Sequence, residues 1–380
     1  MKKLFYITYQ TFPGNTANTI QSIANIKYFV RNSVKVKLFF PMRSKESRAE
    51  IESLQKFYNF TEEFEVNGLD HPFRFGKHET EDSAFTLSLY NKFLFLYSHM
   101  MWSLKAVRHV LKKIEKPDVF FTRSDWVLFF LSLYKQNVIF ECHQYSKIRR
   151  FLLSKSLKKK NSKIIFLNEN LKNDYKNKKD IKDKSIVLHN GVDFDLFNNE
   201  FDRNKNEIVF IGQLSRFNQS RNIEFIIESI SKLDNNFKFK IIGASEEEIS
   251  RINKISSAKK IKADIKVIGR KNREAVINEI KKSEIGLLVN SNANEHSTKY
   301  TSPLKYFEYL AAELKILAVD FNSHRKLPFA DNIVFFKDKD FKSFKLALEK
   351  VYFHKHLDKE SIYEISLDNR IKNIIKFSKI

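Results

Sequence analysis

SPLKYFEYLAA, at residues 302–312, predicts a helix with an unusual first turn. Ser302 is a suitable N-cap, and Pro303 at the first helical position lacks only an N–H that would have no partner there. Apolar residues then recur at three- and four-residue spacing, so one side of the helix can be buried. Lys305 places a cation at the positive end of the helix dipole, which is unfavourable unless an anion binds at the same place.

Glu308 follows Lys305 by three residues and lies on neighbouring surface of the predicted helix. Its carboxylate can accept hydrogen bonds from hydroxyl groups attached to the anion. A phosphate that carries a diol is the chemistry of a nucleotide ribose with its diphosphate, so this helix is a candidate nucleotide site. A core helix with two solvated charges explains the same residues equally well.

The length and composition predict a folded protein of two domains, because 380 residues exceed one ordinary core and 42% of them are hydrophobic. No window offers the roughly 18 uninterrupted apolar residues of a membrane-spanning helix. The basic and then apolar start, residues 1–10, predicts a first strand and not a signal peptide. Cys142 is the only cysteine, which excludes an intrachain disulfide and fits a reducing cytosol.

The formal net charge of +23 is a feature of nucleic-acid binders. However, abundant Asn, Ile and Phe and only 8 Gly indicate a compositional bias spread over the whole chain. We therefore interpret lysine runs such as residues 158–160 as solvated faces and predict no nucleic-acid partner. The basic surface leaves open a peripheral attachment to anionic lipids at the inner face of the membrane.

Strands and helices alternate through both halves of the chain, which is typical of parallel α/β sheets. In the first half, strands are predicted at 4–9, 34–40, 117–123, 138–143, 163–167 and 185–193, with helices at 20–30, 83–116, 126–134 and 169–176. Residues 44–80 give no clear pattern. In the second half, strands are predicted at 207–212, 237–243, 265–269, 285–289, 316–321 and 333–336.

These elements predict an α/β protein with two Rossmann-like domains that face a central cleft. The polar stretch at 198–206 is the expected linker. We assign residues 1–200 to an acceptor-binding domain and 201–358 to a nucleotide-sugar-binding domain. Residues 359–380 form a C-terminal helical segment that is expected to pack back toward the N-terminal domain.

Ligands of such sheets bind beyond the carboxyl ends of the strands, which makes the loop at Gly14 and the strand end at His143 candidate site positions. Strand alternation places Glu141 and His143 on one face and Cys142 on the other, so a Cys–His nucleophile pair is not expected. A lone His at this place is more often structural than catalytic. The acidic triplet at 193–195 matches a short metal-binding pattern, but three-residue matches arise often by chance.

Five motifs in order resemble the retaining nucleotide-sugar glycosyltransferases of the GT-B fold, glycosyltransferase family 4. They are TANTIQ at 16–21, ECH at 141–143, HNGVD at 189–193 with Phe197, IVFIG at 208–212 with Arg221-Asn222-Ile223, and SPLKYFEYLA at 302–311. The first of these is common among members that build surface polysaccharides. Each motif is weak alone, and their order makes the resemblance specific.

The resemblance implies a role for each matching position. Glu308 would bind the ribose hydroxyls, and the base would sit near Gly269 and Arg270. Arg221 and Arg216 would hold the diphosphate with Lys305 and the amides of the helix start. His143 would reach the donor sugar, and the Gly14 loop would close on the diphosphate. The nucleotide-sugar site is completed by Gly212, Ser302, Pro303 and Leu304, and the catalytic residues by His143, Arg221 and Lys305.

The family also implies a cytoplasmic hexosyltransferase-like enzyme with a UDP-, GDP- or other nucleoside-diphosphate sugar as donor and a glycan or lipid-linked acceptor. It implies neither a metal nor another cofactor, because fixed cations and amides stabilise the leaving diphosphate. Two departures concern selectivity: the family's upstream Glu is Tyr300 here, and its Arg after the strand glycine is Gln213. The alternatives are a sugar-nucleotide epimerase on a similar fold and a non-catalytic polyanion or nucleic-acid binder.

Overall fold

A computed structural model describes residues 2–43, 45–71, 89–144, 147–175, 178–197, 202–216, 219–233, 237–259, 261, 263–293, 295–353 and 359–379. The chain forms two compact units. Unit 1 comprises Met1–Leu188 with Leu367–Ile380, and unit 2 comprises His189–Ser366. The expected boundary at residue 200 falls within unit 2, because the backbone of Val192 bridges to Ser366 and donates to the carbonyl of Ile365 at 3.0 Å.

Unit 1 contains a seven-stranded parallel sheet in the order β3-β2-β1-β4-β5-β6-β7. Its strands are β1 (Lys2–Ile7), β2 (Val34–Met42), β3 (Glu65–Asp70), β4 (Val119–Thr122), β5 (Val138–Cys142), β6 (Ser162–Phe166) and β7 (Ser185–Val187). Both faces are covered, so the central strands are continuous apolar runs: Leu4 through Ile7 of β1 are fully buried.

Three helices of unit 1 were not predicted from the sequence, and one of them is the four-residue helix Lys178–Ile181. The helices are α1 (Ala17–Arg31), α2 (Ile51–Tyr58), α3 (Leu89–Lys112), α4 (Asp125–Leu133), α5 (Lys147–Leu157), α6 (Glu169–Asn173) and α7 (Lys178–Ile181). Residues 44–80, which gave no clear pattern, contain both α2 and β3. Helix α5 was not predicted because its charged residues obscure the helical spacing of its three buried leucines. The expected start of the long helix, residues 83–88, lies outside the described residues.

Unit 2 contains a six-stranded parallel sheet in the order β12-β11-β8-β13-β14-β15, with a separate antiparallel pair, β9 and β10. Its strands are β8 (Glu207–Ile211), β9 (Ser215–Arg216), β10 (Gln219–Ser220), β11 (Lys238–Ala244), β12 (Asp264–Gly269), β13 (Ile285–Leu288), β14 (Lys315–Val319) and β15 (Ile333–Phe336). Its helices are α8 (Ile223–Ser231), α9 (Glu246–Ala258), α10 (Arg273–Lys282), α11 (Leu304–Ala311), α12 (Asn322–Arg325), α13 (Phe341–Val351) and α14 (Lys359–Tyr363).

The C-terminal helix α15 (Leu367–Ser378) belongs to unit 1, where it packs on α1. Ile371 and Ile374 are fully buried in the cluster that contains Leu4 and Phe29. Polar contacts add to this packing, since Asn32 donates to the Asp368 carboxylate at 3.0 Å. In the part of the chain that the structure describes, no helix is long and apolar enough to cross a membrane.

Candidate active site

Three residues that are distant in sequence meet at the carboxyl end of β8. Gly212, directly after this strand, has a backbone φ of +123°, which residues that carry a Cβ rarely adopt. A Cβ on this residue would lie 3.1 Å from Nη1 of Arg221 and 3.7 Å from Nζ of Lys305. The ammonium of Lys305 lies 4.1 Å from the ring centroid of Phe210. The glycine therefore leaves room for two cations at one strand end, an arrangement suited to binding an anion.

Arg221 is positioned by the turn that follows β10. Its backbone N–H donates to Leu214 at 2.8 Å, and only 8% of the residue is exposed. Asn222 adopts a left-handed conformation, with φ 58°, and its amide donates to Asp338 at 3.0 Å. This polar turn holds the guanidinium toward Gly212. The backbone of Arg216 lies in β9, and its side chain is outside the described residues.

A second strand-end glycine, which the sequence reasoning did not select, supports this arrangement. Gly243 in β11 has φ +105°, and a Cβ on it would lie 3.3 Å from the Cα of Gly212. Gly212 also donates its N–H to Ile242 at 2.8 Å. Two neighbouring strands thus end with their backbones in close contact. The signal that could have revealed this was a glycine at the end of a buried strand in a chain with only 8 Gly.

Helix α11 begins one residue later than predicted. Pro303 is its N-cap residue and not its first helical residue, and Ser302 does not cap the helix. Instead, Asn190 donates from its side chain to the Ser302 carbonyl at 2.5 Å and from its backbone to the Ser302 hydroxyl at 3.4 Å. The HNGVD and SPLK motifs are therefore in direct contact within unit 2. Leu304 is the first helical residue, so Lys305 does lie in the first turn.

Glu308 is buried, with 5% of the residue exposed, and its Oε1 lies 2.6 Å from Nη2 of Arg273. The neighbouring helix α10 therefore supplies a partner for this carboxylate, and its contact with a ribose stays a prediction. Sequence reasoning missed Arg273. It is the first residue of α10, and a cation at a helix start was the same signal that identified Lys305. Gly269 ends β12 and is followed by the exposed Arg270.

Unit 1 has a second polar cluster, centred on Glu141 in β5. This carboxylate is fully buried and lies 2.7 Å from Nη2 of Arg370 in α15 and 3.4 Å from Nε of Arg123. Burial disfavours the ionised form, but the Arg370 charge, His143 and Arg123 hold the pKa of Glu141 well below its usual range. Glu141 is therefore a fixed anion in the interior of unit 1.

His143 follows β5 and contacts Glu141 through Nε2, as the strand alternation predicted. Burial, followed by the Arg123 charge, lowers the pKa of His143 to about 4. The neutral ring can then donate from Nε2 to Glu141 and accept at Nδ1 from Nη2 of Arg123, 2.8 Å away. Its side chain stays 18% exposed. The cluster fixes both the orientation and the protonation state of the imidazole.

Arg123, which sequence reasoning did not select, joins this cluster to the TANTIQ motif. Its guanidinium donates to the Asn18 carbonyl at 3.0 Å and to the Gln21 side chain at 2.7 Å, both at the start of α1. The motif therefore has a structural role: it supplies acceptors for an arginine that contacts both Glu141 and His143. The polar end of β4 was the available signal.

The Gly14 loop is held by two hydroxyl groups. The Gly14 N–H donates to the Tyr58 hydroxyl at 2.7 Å, which donates back to the Gly14 carbonyl at 2.8 Å. Burial raises the pKa of Tyr58 to about 12, so this hydroxyl keeps its proton. Thr19 also lies 2.7 Å from the same carbonyl. The contact of this loop with a diphosphate stays a prediction.

The candidate metal and nucleophile motifs have structural explanations. Oδ1 of Asp193 accepts the backbone N–H of Asp195 at 3.3 Å and so shapes the short helical turn at Phe194–Phe197. Within the described residues, no group of His, Cys, Asp and Glu side chains could hold a metal ion. Burial raises the pKa of Cys142 to about 11, so its thiol is protonated at neutral pH and is a poor nucleophile.

Two Rossmann-like parallel α/β units define the GT-B fold, as the sequence predicted. Residues 192–364 match the family model described as "Glycosyl transferases group 1". A search of curated protein sequences finds no match. The family match and the fold together support a glycosyltransferase.

Solved structures of glycosyltransferases resemble the whole chain. Sucrose-phosphate synthase from Thermosynechococcus elongatus has a TM-score of 0.68 at 11% identity, with 100% of this chain and 98% of that chain covered. Anabaena Alr3699/HepE in complex with UDP and glucose gives 0.63 at 10% identity, with 100% of both chains covered. The lipopolysaccharide outer core galactosyltransferase WaaB gives 0.64 at 12% identity, also with 100% of both covered. At these identities the similarity shows the fold alone.

Proposed function

We propose that this protein is a retaining glycosyltransferase of family 4 that transfers a sugar from a nucleoside-diphosphate sugar to a glycan or lipid-linked acceptor. The observation that carries the proposal is the convergence of Gly212, Arg221 and Lys305 at one strand end. A nucleoside diphosphate is an anion of the size and charge that two fixed cations and a glycine-lined backbone can bind. The site lies inside the segment that matches the family model.

The chemistry follows from where charge develops. As the glycosidic bond breaks, the leaving diphosphate becomes more negative, so cations that are already in place stabilise the transition state more than the ground state. Arg221 offers a planar guanidinium for two-point contact with phosphate oxygens, and Lys305 adds a compact charge. We propose that no metal ion is needed, because these cations supply the positive charge that a divalent ion would supply.

Retention of configuration requires the acceptor to attack from the side on which the diphosphate leaves. In that geometry a phosphate oxygen of the leaving group can take the acceptor proton, and no carboxylate base is needed. The pairing of Glu308 with Arg273 agrees with this division of roles, since the guanidinium already occupies one oxygen of the carboxylate. The other oxygen of Glu308 would accept hydrogen bonds from the ribose. The contact of His143 with the transferred sugar is a further part of the proposal.

The base and sugar of the donor are open to a direct test. Anabaena Alr3699/HepE is described with UDP and glucose, which makes UDP-glucose the first donor to try. The acceptor is proposed to belong to surface polysaccharide synthesis, which places the reaction in the cytoplasm or at the inner face of the membrane. WaaB, which shares the fold of this chain, is described as a lipopolysaccharide outer core galactosyltransferase.

The experiment is a panel of UDP-, GDP- and ADP-sugars, measured by thermal stabilisation and by slow donor hydrolysis. We expect stabilisation by one base class, with release of free sugar in the retained anomeric form. Conversion of the donor into an epimer without hydrolysis would identify an epimerase instead. Stabilisation by DNA or heparin that disappears with salt, with none from any nucleotide sugar, would favour the polyanion binder.

A further inference from the structure

Large exposed apolar side chains are concentrated on one part of unit 1. Among the described residues, twelve such side chains are exposed, and seven of them lie on α3, α4 and α5 or at the residue that ends α4. The seven are Tyr90 (70% exposed), Phe93 (64%), Tyr97 (39%), Leu133 (52%), Tyr134 (47%), Ile148 (45%) and Phe151 (59%). We call the outer surface of these three helices, with these seven residues, the aromatic face.

The three helices are neighbours, because α4 packs against α3 on one side and against α5 on the other. On α3 the exposed rings follow helical spacing, and those of Phe93 and Tyr97 lie nearly parallel with centroids 6.4 Å apart. On α4 the half-buried Trp126 and Phe130 stack at 6.0 Å. The exposed residues therefore form stripes on adjacent helices and not isolated apolar positions.

The charges of this face have one sign. Helices α3 and α5 each contain four Lys or Arg and no Asp or Glu. The single acid on the three helices, Asp125, is buried and lies 3.4 Å from Nε of Arg149. Exposed cations lie beside these apolar residues on the same helices. For example, Nζ of Lys155 lies 5.6 Å from the ring centroid of Phe151. The run of exposed lysines at 158–160 continues from α5.

We propose that the aromatic face docks onto an anionic lipid bilayer, with its rings at the headgroup level and its lysines on the lipid phosphates. Rings such as those of Tyr and Trp favour the boundary between hydrocarbon and water, and neighbouring cations add attraction to anionic lipids. The absence of acidic residues from the exposed surface of the three helices removes the repulsion that such a bilayer would otherwise cause.

The aromatic face adjoins the edge of the unit 1 sheet at which His143 lies. Helices α4 and α5 start beyond the carboxyl ends of β4 and β5, the edge of the sheet at which His143 lies. The first half of α3 reaches the same edge, since His99 lies 2.8 Å from the Ser124 hydroxyl. A bilayer on this face would bring a lipid-linked acceptor to that edge. This last step rests on the proposed function, whereas the docking itself does not.

The test is co-sedimentation of the full chain with vesicles of phosphatidylcholine that contain phosphatidylglycerol, compared with phosphatidylcholine alone. We expect binding to the anionic vesicles only, weakened by salt. Phe93→Ser combined with Phe151→Ser should lower the partition coefficient about tenfold or more for each ring removed. Replacing the three lysines at 158–160 by Gln should lower it about fivefold per charge.

The matched control is Phe353→Ser, which removes a still more exposed ring (88%) from unit 2 and should bind like the wild type. Thermal unfolding of each variant checks that the fold is intact. Equal binding to neutral vesicles, or no loss of binding in the Phe93/Phe151 variant, would overturn the proposal. A wild-type dimer that this variant dissociates, without any lipid binding, would show that the face pairs two copies of the chain. Donor hydrolysis should be unchanged in all of these variants, so the docking can fail without the proposed activity failing.

Discussion

Replacing Gly212 by Ala tests whether the strand end is built to hold two cations. Its φ of +123° is a region in which a residue with a Cβ is strained by about 1–3 kcal/mol. The new methyl would also lie 3.1 Å from Nη1 of Arg221, closer than most real contacts. The guanidinium can move, so this clash costs little stability, but the movement misplaces the cation. We expect the free energy of unfolding to fall by about 1–3 kcal/mol, mostly from the backbone strain.

Gly269→Ala is the matched control for stability alone, because its backbone is not in the left-handed region and a Cβ there would meet only ordinary contacts at 3.8 Å and 3.9 Å. Its stability should match or slightly exceed that of the wild type, since a compatible Gly→Ala change restricts the unfolded chain. Urea unfolding of both variants gives the stability difference, and donor hydrolysis gives the rate. We expect Gly212→Ala to lower the rate by less than the roughly 10²–10³-fold loss that follows removal of a whole donor group. Stability equal to that of Gly269→Ala, together with a wild-type rate of donor hydrolysis in Gly212→Ala, would refute this explanation of Gly212.

Glu308→Ala should abolish transfer and weaken donor binding without unfolding the protein, because its partner Arg273 is partly exposed and can be hydrated. Donor affinity is measured by calorimetry, and a normal affinity would exclude a ribose contact. The free energy of unfolding should decrease as pH falls from about 6.5 to 4. Burial lowers the pKa of three His to about 4, so these residues take up protons more readily in the unfolded chain. Urea unfolding curves across this pH range measure the decrease. The residues concerned are His99, His143 and His324. Activity should survive a chelator, and its loss followed by recovery with Mn²⁺ would implicate the acidic triplet at 193–195.

Local patterns in the sequence were sufficient to predict the fold class. Buried parallel strands are continuous apolar runs, and most of the predicted strands occur within a few residues of their expected positions. The alternation of β5 was enough to predict that Glu141 and His143 share a face. Helix α5 was missed because four of its eleven residues are Lys or Arg. There the helical pattern is carried by a few buried leucines and is weak in the sequence.

Several partners that are distant in sequence could not be predicted. Arg370 contacts Glu141 across 229 positions, and Arg123 contacts His143 across 20. Such pairs depend on the order of the strands in the sheet and on the return of α15 to unit 1, which a local pattern does not encode. The same reason explains Ser302, whose hydroxyl accepts from Asn190 over 112 positions instead of capping its own helix.

The convergence of Gly212, Arg221 and Lys305 was expected from motifs that resemble a known family, and both cationic side chains do approach Gly212. Arg273 and Gly243 were not expected, although each contacts a residue of that predicted site. Arg273 pairs with Glu308, and Gly243 packs against Gly212. Sequence motifs therefore identified residues proposed to bind the ligand more readily than residues that position them.

Donor turnover of Arg221→Ala and Lys305→Ala, at saturating donor, tests the central claim most directly. If both cations stabilise the leaving diphosphate, each variant should lose about 10²–10³ in rate, and Arg221→Lys should recover only part of it. Arg325→Ala, which removes an exposed arginine paired with Asp320 in the same unit, is the matched control and should keep the wild-type rate. Wild-type rates in both Arg221→Ala and Lys305→Ala would mean that the diphosphate does not bind at this strand end.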